Sequence, residues 1–460
     1  QFSLTAYGEE HQNSETIRSI RFVTNHSATI NGNNINYKVT AGDTLIRNVD
    51  GEGTALIFSF DYVRTDVTDS IARPVTFLWG GGPGSPSMNI HMGAYGPRQV
   101  VVPGEGDYPK GPPYSMTSSV ESILDVTDLV FIDTVGTGFS RSFGKYEADQ
   151  FWGLYEDAKS VADFINQWIT KNNRWNDPKF IGGISYGTTR AGAVAKILER
   201  DMQISLNGVI LLAQALDFQG SSPYVRDNLI SYVTYLPTMS AVAWYHNKIV
   251  PRPDNFEAFI EESKTFAREE LLPALFMGSA ISEEDYNHIL KGLAYYTGLN
   301  QRYIKAANLR VQGNRFTKEL LRDQGLAIGR LDGRYIADDI DDLGVRPEGD
   351  AASNALNRAY RASFMDYLKN ELSVTMNRKY LLGSQNPMLN AKWNYRDVPE
   401  VTSYEPKYVN TAHDLREAMT INPNFNVFVA SGYYDFATPF FDADFTFGRH
   451  DFESDRIHHE

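Results

Sequence analysis

The sequence contains no cysteine, and this absence excludes disulfide bonds, thiolate metal ligands and a cysteine nucleophile together. It also lacks an apolar run near the ~18 residues that a membrane-spanning helix needs. No basic segment followed by an apolar core stands at the N-terminus, so no signal peptide is visible. Because the chain begins at Gln1 and not at methionine, we expect a processed protein that is exported to the periplasm or secreted.

Positive charge is in deficit. The chain has 43 basic and 57 acidic residues, a net charge of -14, which argues against nucleic acid or an anionic membrane as the main partner. Metal-binding patterns are missing as well: there is no His-x-x-x-His pair, and the acidic run at 338–342 lacks the spacing of a calcium loop. We therefore expect no metal site.

Short apolar strands alternate with helical patterns along the chain. Strands are predicted at 75–79, 129–133, 206–212 and 426–432, and a helix at 151–169. This alternation predicts an α/β fold with a mostly parallel sheet. At 460 residues the chain exceeds one ordinary domain of ~100–200 residues, which predicts a large core with an insertion.

The remaining segments set the predicted domain bounds. Three β-type runs within residues 16–63 predict an antiparallel edge that starts the core. The region from about 226 to 370 has amphipathic helical patterns and little strand character, which predicts a cap. We therefore predict a first core part at 1–225, a helical cap at 226–370 and a second core part at 371–460.

The pattern Gly183-Ile184-Ser185-Tyr186-Gly187 follows a short apolar run and precedes a helical segment at 191–198. In a strand–turn–helix context this is a nucleophile elbow, where a tight turn strains the serine backbone and exposes its hydroxyl. Glycines on either side leave room for the turn, and the helix N-terminus favours negative charge beside the serine. The alternative is a glycine-rich connection with an incidental serine.

A second glycine cluster, Gly80-Gly81-Gly82-Pro83-Gly84-Ser85, follows the apolar strand at 75–79. Glycines let the backbone approach a ligand closely, so its amides can form an oxyanion hole. The cluster precedes the elbow, where α/β-hydrolases carry the loop that supplies an oxyanion donor. A flexible turn is the alternative.

Asp435 follows the predicted strand at 426–432 and lies 250 residues after Ser185. The carboxyl ends of parallel strands form the edge at which such sheets carry their active sites. The order serine, acid, histidine is that of α/β-hydrolases. Asp435 is therefore the candidate acid, and a simple turn residue is the other interpretation.

Together these stretches resemble the serine carboxypeptidase family from about residue 75 to 440. Gly81-Gly82-Pro83-Gly84 is similar to the family's oxyanion segment, and residues 133–140, Asp-Thr-Val-Gly-Thr-Gly-Phe-Ser, resemble its Asp-x-Pro-Val-Gly-Thr-Gly-Phe-Ser stretch. The elbow stands where the family has Gly-Glu-Ser-Tyr. The resemblance implies an α/β-hydrolase fold, with a mostly parallel central sheet and an inserted helical cap, and a serine-type exopeptidase that cleaves peptides near a terminus.

The resemblance also implies roles for single residues. Ser185 is the implied nucleophile, Asp435 the acid that orients a histidine, and the backbone amides of Gly82 and Tyr186 the oxyanion hole. These groups would divide acyl transfer into acylation and deacylation.

The substrate-binding positions depart from the family. Gly80 and Gly81 are implied at the substrate site, but the family binds the substrate carboxylate with an asparagine and two glutamates. This sequence has Gly80, Ala94 and Ile184 at those positions. Another group then binds the terminus, or the substrate is an ester, an amide or an amino-terminal peptide.

The family's histidine follows the acid, in a Gly-His loop after one further strand. Only His450, His458 and His459 come after Asp435, and residues 457–460 resemble the start of that strand. We interpret His450 as a surface-loop residue and expect the catalytic histidine beyond the last residue given. His91, which follows the oxyanion segment, is interpreted as packed or solvent-facing.

Three hypotheses follow. The first is a carboxypeptidase-like serine hydrolase that acts on peptides without metal or cofactor. The second is a prolyl-aminopeptidase-like or esterase-like α/β-hydrolase that acts on peptides or on small esters and amides. The third is a catalytically silent hydrolase fold used for binding.

Overall fold

The computed structural model describes residues 20–67, 73–383, 386–396 and 407–460. The start of the first predicted β-type run, at 16–19, lies outside these residues. The strands in chain order are β1 (Arg21–Ile30), β2 (Asn33–Arg47), β3 (Gly53–Arg64), β4 (Val75–Trp79), β5 (Arg98–Val100), β6 (Met116–Ser118), β7 (Asp128–Ile132), β8 (Arg141–Ser142), β9 (Lys179–Ile184), β10 (Gly208–Leu212), β11 (Leu326–Ile328), β12 (Ile336–Asp338), β13 (Asn426–Ala430) and β14 (Ile457–His459).

Ten of these strands form one sheet in the order β1-β2-β3-β7-β4-β9-β10-β13-β14, with β8 paired to β3. The six consecutive strands β7-β4-β9-β10-β13-β14 of this order pair in parallel. Strands β1 to β3 pair antiparallel and join β7 in antiparallel fashion. The predicted α/β-hydrolase fold, with its mostly parallel central sheet and antiparallel edge, is therefore confirmed.

The strands form where the sequence pattern predicts them. Every residue of β4 and of β7 is buried, as expected for apolar strands covered on both faces. Asn31 and Gly32 join β1 to β2 with φ of 48° and 78°. A two-residue turn with both φ positive matches the twist of a hairpin, which is why Asn-Gly favours this connection.

The helices in chain order are α1 (Met88–Ile90), α2 (Leu154–Lys171), α3 (Tyr186–Lys196), α4 (Leu229–Tyr245), α5 (Phe256–Phe266), α6 (Leu272–Met277), α7 (Glu283–Thr297), α8 (Gln301–Ala306), α9 (Gly313–Glu319), α10 (Ala351–Asp366), α11 (Pro387–Lys392), α12 (Ala412–Ile421) and α13 (Phe441–Arg449). Helices α2, α3 and α12 share one apolar core with the parallel strands. Helices α4 to α9 have a core of their own, which also contains Phe436 and Phe440.

Helix α10 packs differently from the helices that precede it in the chain. Its residues Ala359 and Phe364 belong to the core on the other face of the sheet, together with Phe58 and Phe131. Residues 351–366 thus contact the sheet although they fall inside the predicted cap. The bounds of the cap stay a prediction.

Within the described ranges, no helix combines the length and the apolar character needed to cross a bilayer. Export of the protein stays a prediction.

Candidate active site

Ser185 stands between β9 and α3 with φ of 57° and ψ of -128°, a conformation that residues with a side chain rarely adopt. Its N–H donates to the carbonyl oxygen of Leu212 on β10 at 2.9 Å. In the described part of the chain its hydroxyl makes no hydrogen bond, and the residue is partly exposed. The turn therefore presents an unpartnered hydroxyl at the end of a central strand.

The glycines on either side allow this turn because their neighbours leave no room for a side chain. A Cβ atom on Gly183 would lie 2.5 Å from the carbonyl oxygen of Gly187 and 2.6 Å from Nε1 of Trp79. A Cβ atom on Gly187 would lie 2.7 Å from the carbonyl oxygen of Gly80. The elbow is therefore packed against Gly80, the first residue of the glycine segment at 80–85, which is called the oxyanion segment below.

Gly81 and Gly82 come after Gly80 at the end of β4, and Gly81 lies directly against Ser185. A Cβ atom on Gly81 would lie 2.4 Å from the carbonyl oxygen of Ile184 and 3.2 Å from the backbone nitrogen of Tyr186. Gly82 is exposed and has φ of 111°, which only glycine adopts readily. Tyr186 is the first residue of α3, so its N–H has no acceptor within the helix.

A buried ion pair ties the two segments together. The Arg190 guanidinium on α3 is fully buried; its Nε donates to Asp157 on α2 and its Nη1 donates to the carbonyl oxygen of Gly80 at 2.8 Å. Trp79 Nε1 donates to the carbonyl oxygen of Gly187 at 2.7 Å. These hydrogen bonds hold the elbow and the start of the oxyanion segment together.

A second buried carboxyl group supports the far end of the segment. Asp133 Oδ1 accepts hydrogen bonds from the backbone N–H and the hydroxyl of Ser87, both at 2.8 Å, and from the Tyr380 hydroxyl at 3.4 Å. Burial raises the pKa of Asp133 to about 6, although these bonds oppose the rise. Asp133 therefore anchors the segment after its glycines.

Asp435 lies five residues beyond the end of β13 and is partly buried. Its carboxylate accepts hydrogen bonds from the N–H of Ala437 at 2.6 Å and from the hydroxyl of Thr438 at 2.7 Å. Burial raises the pKa of Asp435 to about 6, and the hydrogen bonds and the charge of Arg330 oppose this rise. The carboxylate is thus held in one orientation by its own loop.

The loop that carries Asp435 is also fixed to the chain between α9 and α10. Gly333 N–H donates to the carbonyl oxygen of Tyr434 at 2.8 Å, and Phe436 N–H donates to the carbonyl oxygen of Arg330 at 2.9 Å. The Arg334 guanidinium lies over the Tyr434 ring, 5.0 Å from its centroid. Backbone hydrogen bonds therefore hold the loop at the residues on both sides of Asp435.

Replacement of Thr438 by valine should raise the pKa of Asp435 further, because a hydrogen bond to the charged carboxylate is lost. If ionised Asp435 orients the base, the acidic limb of the rate profile should move up by about one pH unit, the size expected for one bond to a charged group. The measurement is the pH dependence of the rate at which a fluorophosphonate labels Ser185 in a chain that continues through the predicted Gly-His loop. Thr438→Ser keeps the hydroxyl and should leave the profile in place; equal midpoints for both variants would contradict this role.

The strands that carry the candidate residues end in register. Leu212 on β10 pairs with Ile184 on one side and with Ala430 on the other. Ser185 and Asp435 therefore leave the sheet at the same edge, from strands separated by two spacings, or about 10 Å. No hydrogen bond joins the two residues among those that the structure describes.

No histidine of the described chain bonds to either residue. His450 was interpreted above as a surface-loop residue, and this is wrong: it is 6% exposed, and its Nε2 lies 3.2 Å from the carboxylate of Asp217 and from the amide of Asn410. Burial lowers the pKa of His450. The loop after α13 folds inward onto Asp217, which also forms an ion pair with Arg449 at 2.7 Å.

Three further described histidines, which the sequence analysis singled out, make other contacts. His458 and His459 occupy β14, where His459 contacts the Phe447 ring and His458 points to the opposite face with Phe428. Of the two interpretations of His91, packed or solvent-facing, the packed one is confirmed: the ring is stacked on Phe131 at 4.1 Å, and its Nε2 lies 2.7 Å from the Tyr62 hydroxyl. Burial lowers its pKa to about 3, so it is neutral.

The three positions at which the family carries carboxylate-binding side chains offer none here. Gly80 is buried, and a Cβ atom there would lie 2.3 Å from the carbonyl oxygen of Pro86. Ala94 is exposed, and Ile184 packs with the apolar core on one face of the sheet. Gly81 is also buried, so the substrate-binding roles of Gly80 and Gly81 stay predictions.

An aromatic cluster lies beside the elbow and was not anticipated from the sequence. The Tyr186 ring packs edge-on against Trp393 at 5.4 Å, and its hydroxyl accepts from Trp393 Nε1 at 3.1 Å. Phe218 and Tyr395 complete the cluster within 6.5 Å of that ring. Its members come from three distant segments, so no local pattern could have grouped them.

No group of three or more histidine, aspartate, glutamate or cysteine side chains is arranged to hold a metal ion within the described residues.

Comparison with known proteins gives a family and a fold. A family model described as serine carboxypeptidase matches residues 49–446. No curated protein matches the chain significantly. Among solved structures, the chain is similar to Kex1(delta)p, a prohormone-processing carboxypeptidase from Saccharomyces cerevisiae, with 16% identity over 89% of this chain and 76% of that chain and a TM-score of 0.51. It is also similar to feruloyl esterase B from Aspergillus oryzae, with 11% identity over 95% of this chain and 76% of that chain and a TM-score of 0.34.

Proposed function

The chain belongs to the serine carboxypeptidase family and is a serine carboxypeptidase-like hydrolase, and from this premise we propose that Ser185 is its nucleophile. The observation that carries the proposal is the backbone of Ser185, held at φ of 57° with its hydroxyl free. A strained residue persists only where its surroundings enforce it, and such residues cluster at active sites. Here the packing of Gly183 and Gly187 enforces it.

The oxyanion hole consists of the N–H groups of Gly82 and Tyr186. The contact of Gly81 with Ile184 and Tyr186 supports this, because it brings the glycine segment against the N-terminus of α3. Donors fixed before reaction stabilise the developing charge without reorganisation, and loss of one typically slows the reaction 10²- to 10³-fold.

Asp435 is the acid, and a histidine outside the described residues is the base. No described histidine forms a hydrogen bond with Ser185 or Asp435, and His450 is paired with Asp217. Strand β14 runs parallel to β13, so its carboxyl end lies at the edge that carries Asp435. A histidine on a segment that follows β14 would therefore come to the same edge. Its imidazole takes the proton of the Ser185 hydroxyl as Oγ attacks the substrate carbonyl, and returns that proton to the leaving group. Water then hydrolyses the acyl-enzyme by the same route in reverse.

The substrate is a peptide cleaved near a terminus, and its free carboxylate is not bound by the family's three side chains. Gly80, Ala94 and Ile184 present no polar side-chain group to a carboxylate. The same observation favours the esterase-like or aminopeptidase-like alternative. Rates on amino-blocked peptides with free and with amidated carboxyl ends, on proline amides and on short esters would separate these substrate classes.

The experiment that tests the nucleophile is labelling with an organofluorophosphonate, followed by intact mass and peptide mapping. It is run on the 460-residue chain and on a version that continues through the predicted Gly-His segment. We expect a single adduct on the extended chain, mapped to Ser185. An adduct on Thr188, or none on either chain, would overturn the assignment and favour the catalytically silent alternative. Labelling of the 460-residue chain would show that its own residues supply the base.

A further inference from the structure

A cavity of about 610 Å³ opens beside the oxyanion segment, away from Ser185. One wall is a stripe along α10 and the turn after it, in which Met365, Leu368 and Lys369 face the cavity. The opposite wall is the extended segment at 374–382. Ligand sites usually have volumes of about 300–1,000 Å³, so the cavity is large enough for a small organic molecule.

The floor of the cavity is apolar. It is formed by Met88, Phe139, Leu368, Met376 and Leu382. Two of these are methionines, whose flexible thioether side chains adapt to ligands of different shape. The floor therefore favours an aliphatic or aromatic group.

The rim of the cavity is basic, in a protein whose net charge is -14. Lys369, Arg378 and Lys379 line it, and its lining contains no aspartate or glutamate. Arg378 donates from Nη2 to Asp43 at 2.6 Å, but its Nε is buried without a hydrogen-bond partner. Burial, together with the charge of Arg378, lowers the pKa of neighbouring Arg141 to about 10. The lining of the cavity thus carries basic side chains and no acidic one.

We infer that this cavity binds an amphipathic anion, an apolar chain that ends in a carboxylate. The chain would cover the methionine-rich floor while the carboxylate meets the lysines and the free Nε of Arg378. A fatty carboxylate and the carboxyl end of an apolar peptide share this chemistry. The inference concerns a site apart from Ser185, so it does not rest on the proposed nucleophile.

One residue of the cavity wall, Tyr380, also contacts Asp133, which supports the oxyanion segment. Tyr380 lines the cavity, and its hydroxyl lies 3.4 Å from Oδ1 of Asp133, the oxygen that holds Ser87. A ligand in the cavity would therefore contact the residues that support the oxyanion segment, while its carboxylate stays at the basic rim.

The test is a fluorescence titration of the full chain with 11-(dansylamino)undecanoic acid. We expect saturable binding, and we expect the double variant Lys369→Glu/Lys379→Glu to raise the Kd about tenfold, because two attractive charges become repulsive. Both lysines are exposed, so the variant should have the same thermal unfolding midpoint as the parent protein. The control Lys291→Glu/Lys305→Glu makes the same charge change on α7 and α8 and should leave the Kd within about twofold.

Displacement of the probe identifies the source of the anion. Decanoate and acetyl-leucyl-phenylalanine are compared with decanol and with the peptide amide, their uncharged counterparts. Displacement by either acid, absent for its neutral counterpart and weakened in the lysine variant, supports the site and names the ligand type. No saturable binding, equal displacement by decanol, or equal affinity of the cavity and control variants would overturn it.

Discussion

The Ser185→Ala variant of a chain that carries its base should hydrolyse substrate at least about 10³-fold more slowly than the parent protein. Loss of the nucleophile removes the covalent route and leaves only what substrate binding and the oxyanion hole contribute. Because the Ser185 hydroxyl makes no hydrogen bond within the described chain, its removal should cost almost no stability. The checks are steady-state rates on a blocked peptide and thermal unfolding.

Two companion variants sharpen this prediction. Ser279→Ala removes an exposed hydroxyl from the predicted cap and should leave both rate and stability unchanged. Ser185→Gly should be as inactive as the alanine variant but more stable by about 1 kcal/mol, because glycine adopts a positive φ without strain. A rate within tenfold of the parent for Ser185→Ala would remove Ser185 from the mechanism.

The Arg190→Met variant should lose about 3–5 kcal/mol of unfolding free energy, the cost of leaving a buried carboxylate without its partner. Arg190 and Asp157 are both almost fully buried, so water cannot replace the lost bond. The variant should also lose hydrolytic activity, because the carbonyl group of Gly80 loses the donor that holds the start of the oxyanion segment. Denaturant unfolding gives the first quantity, and hydrolysis rates below the unfolding transition give the second.

A second substitution separates charge burial from positioning. Arg190→Met/Asp157→Leu removes both charges and should recover much of the lost stability, since apolar replacements of buried ion pairs are often neutral. Activity should stay low, because Gly80 still lacks its donor. Arg200→Met breaks an exposed pair with Glu417 and should cost less than about 1 kcal/mol. Full recovery of activity in the double variant would contradict the positioning role of Arg190.

The parts of the fold that sequence predicts well are those fixed by local pattern. The strand at 75–79 is five residues long, apolar apart from Thr76, and is found as β4 with those bounds. The elbow is marked by glycines whose missing side chains the packing requires, and Asn31-Gly32 marks a hairpin through its own backbone preferences. Each signal lies within about ten residues of what it determines.

The parts that sequence misses depend on residues far apart in the chain. Arg190 and Asp157 look like ordinary helix charges until α2 and α3 pack together on the sheet. His450 follows a helix and resembles a solvent-facing residue, but the fold brings it onto Asp217, 233 residues earlier. A charged or polar residue carries no local mark of burial, because burial depends on which distant partner neutralises it.

The backbone bonds on both sides of Asp435 have a consequence for how the substrate specificity of this protein could diverge. Gly333 and Arg330 belong to the segment between α9 and α10, yet they fix the loop that holds the candidate acid. The predicted cap at 226–370, which contains this segment, is therefore not interchangeable independently of the acid loop. A chimera that received the predicted cap from a relative would lose the backbone hydrogen bonds that hold the Asp435 loop unless residues 330–334 were kept. A change of substrate recognition through this region would therefore also change the position of the candidate acid.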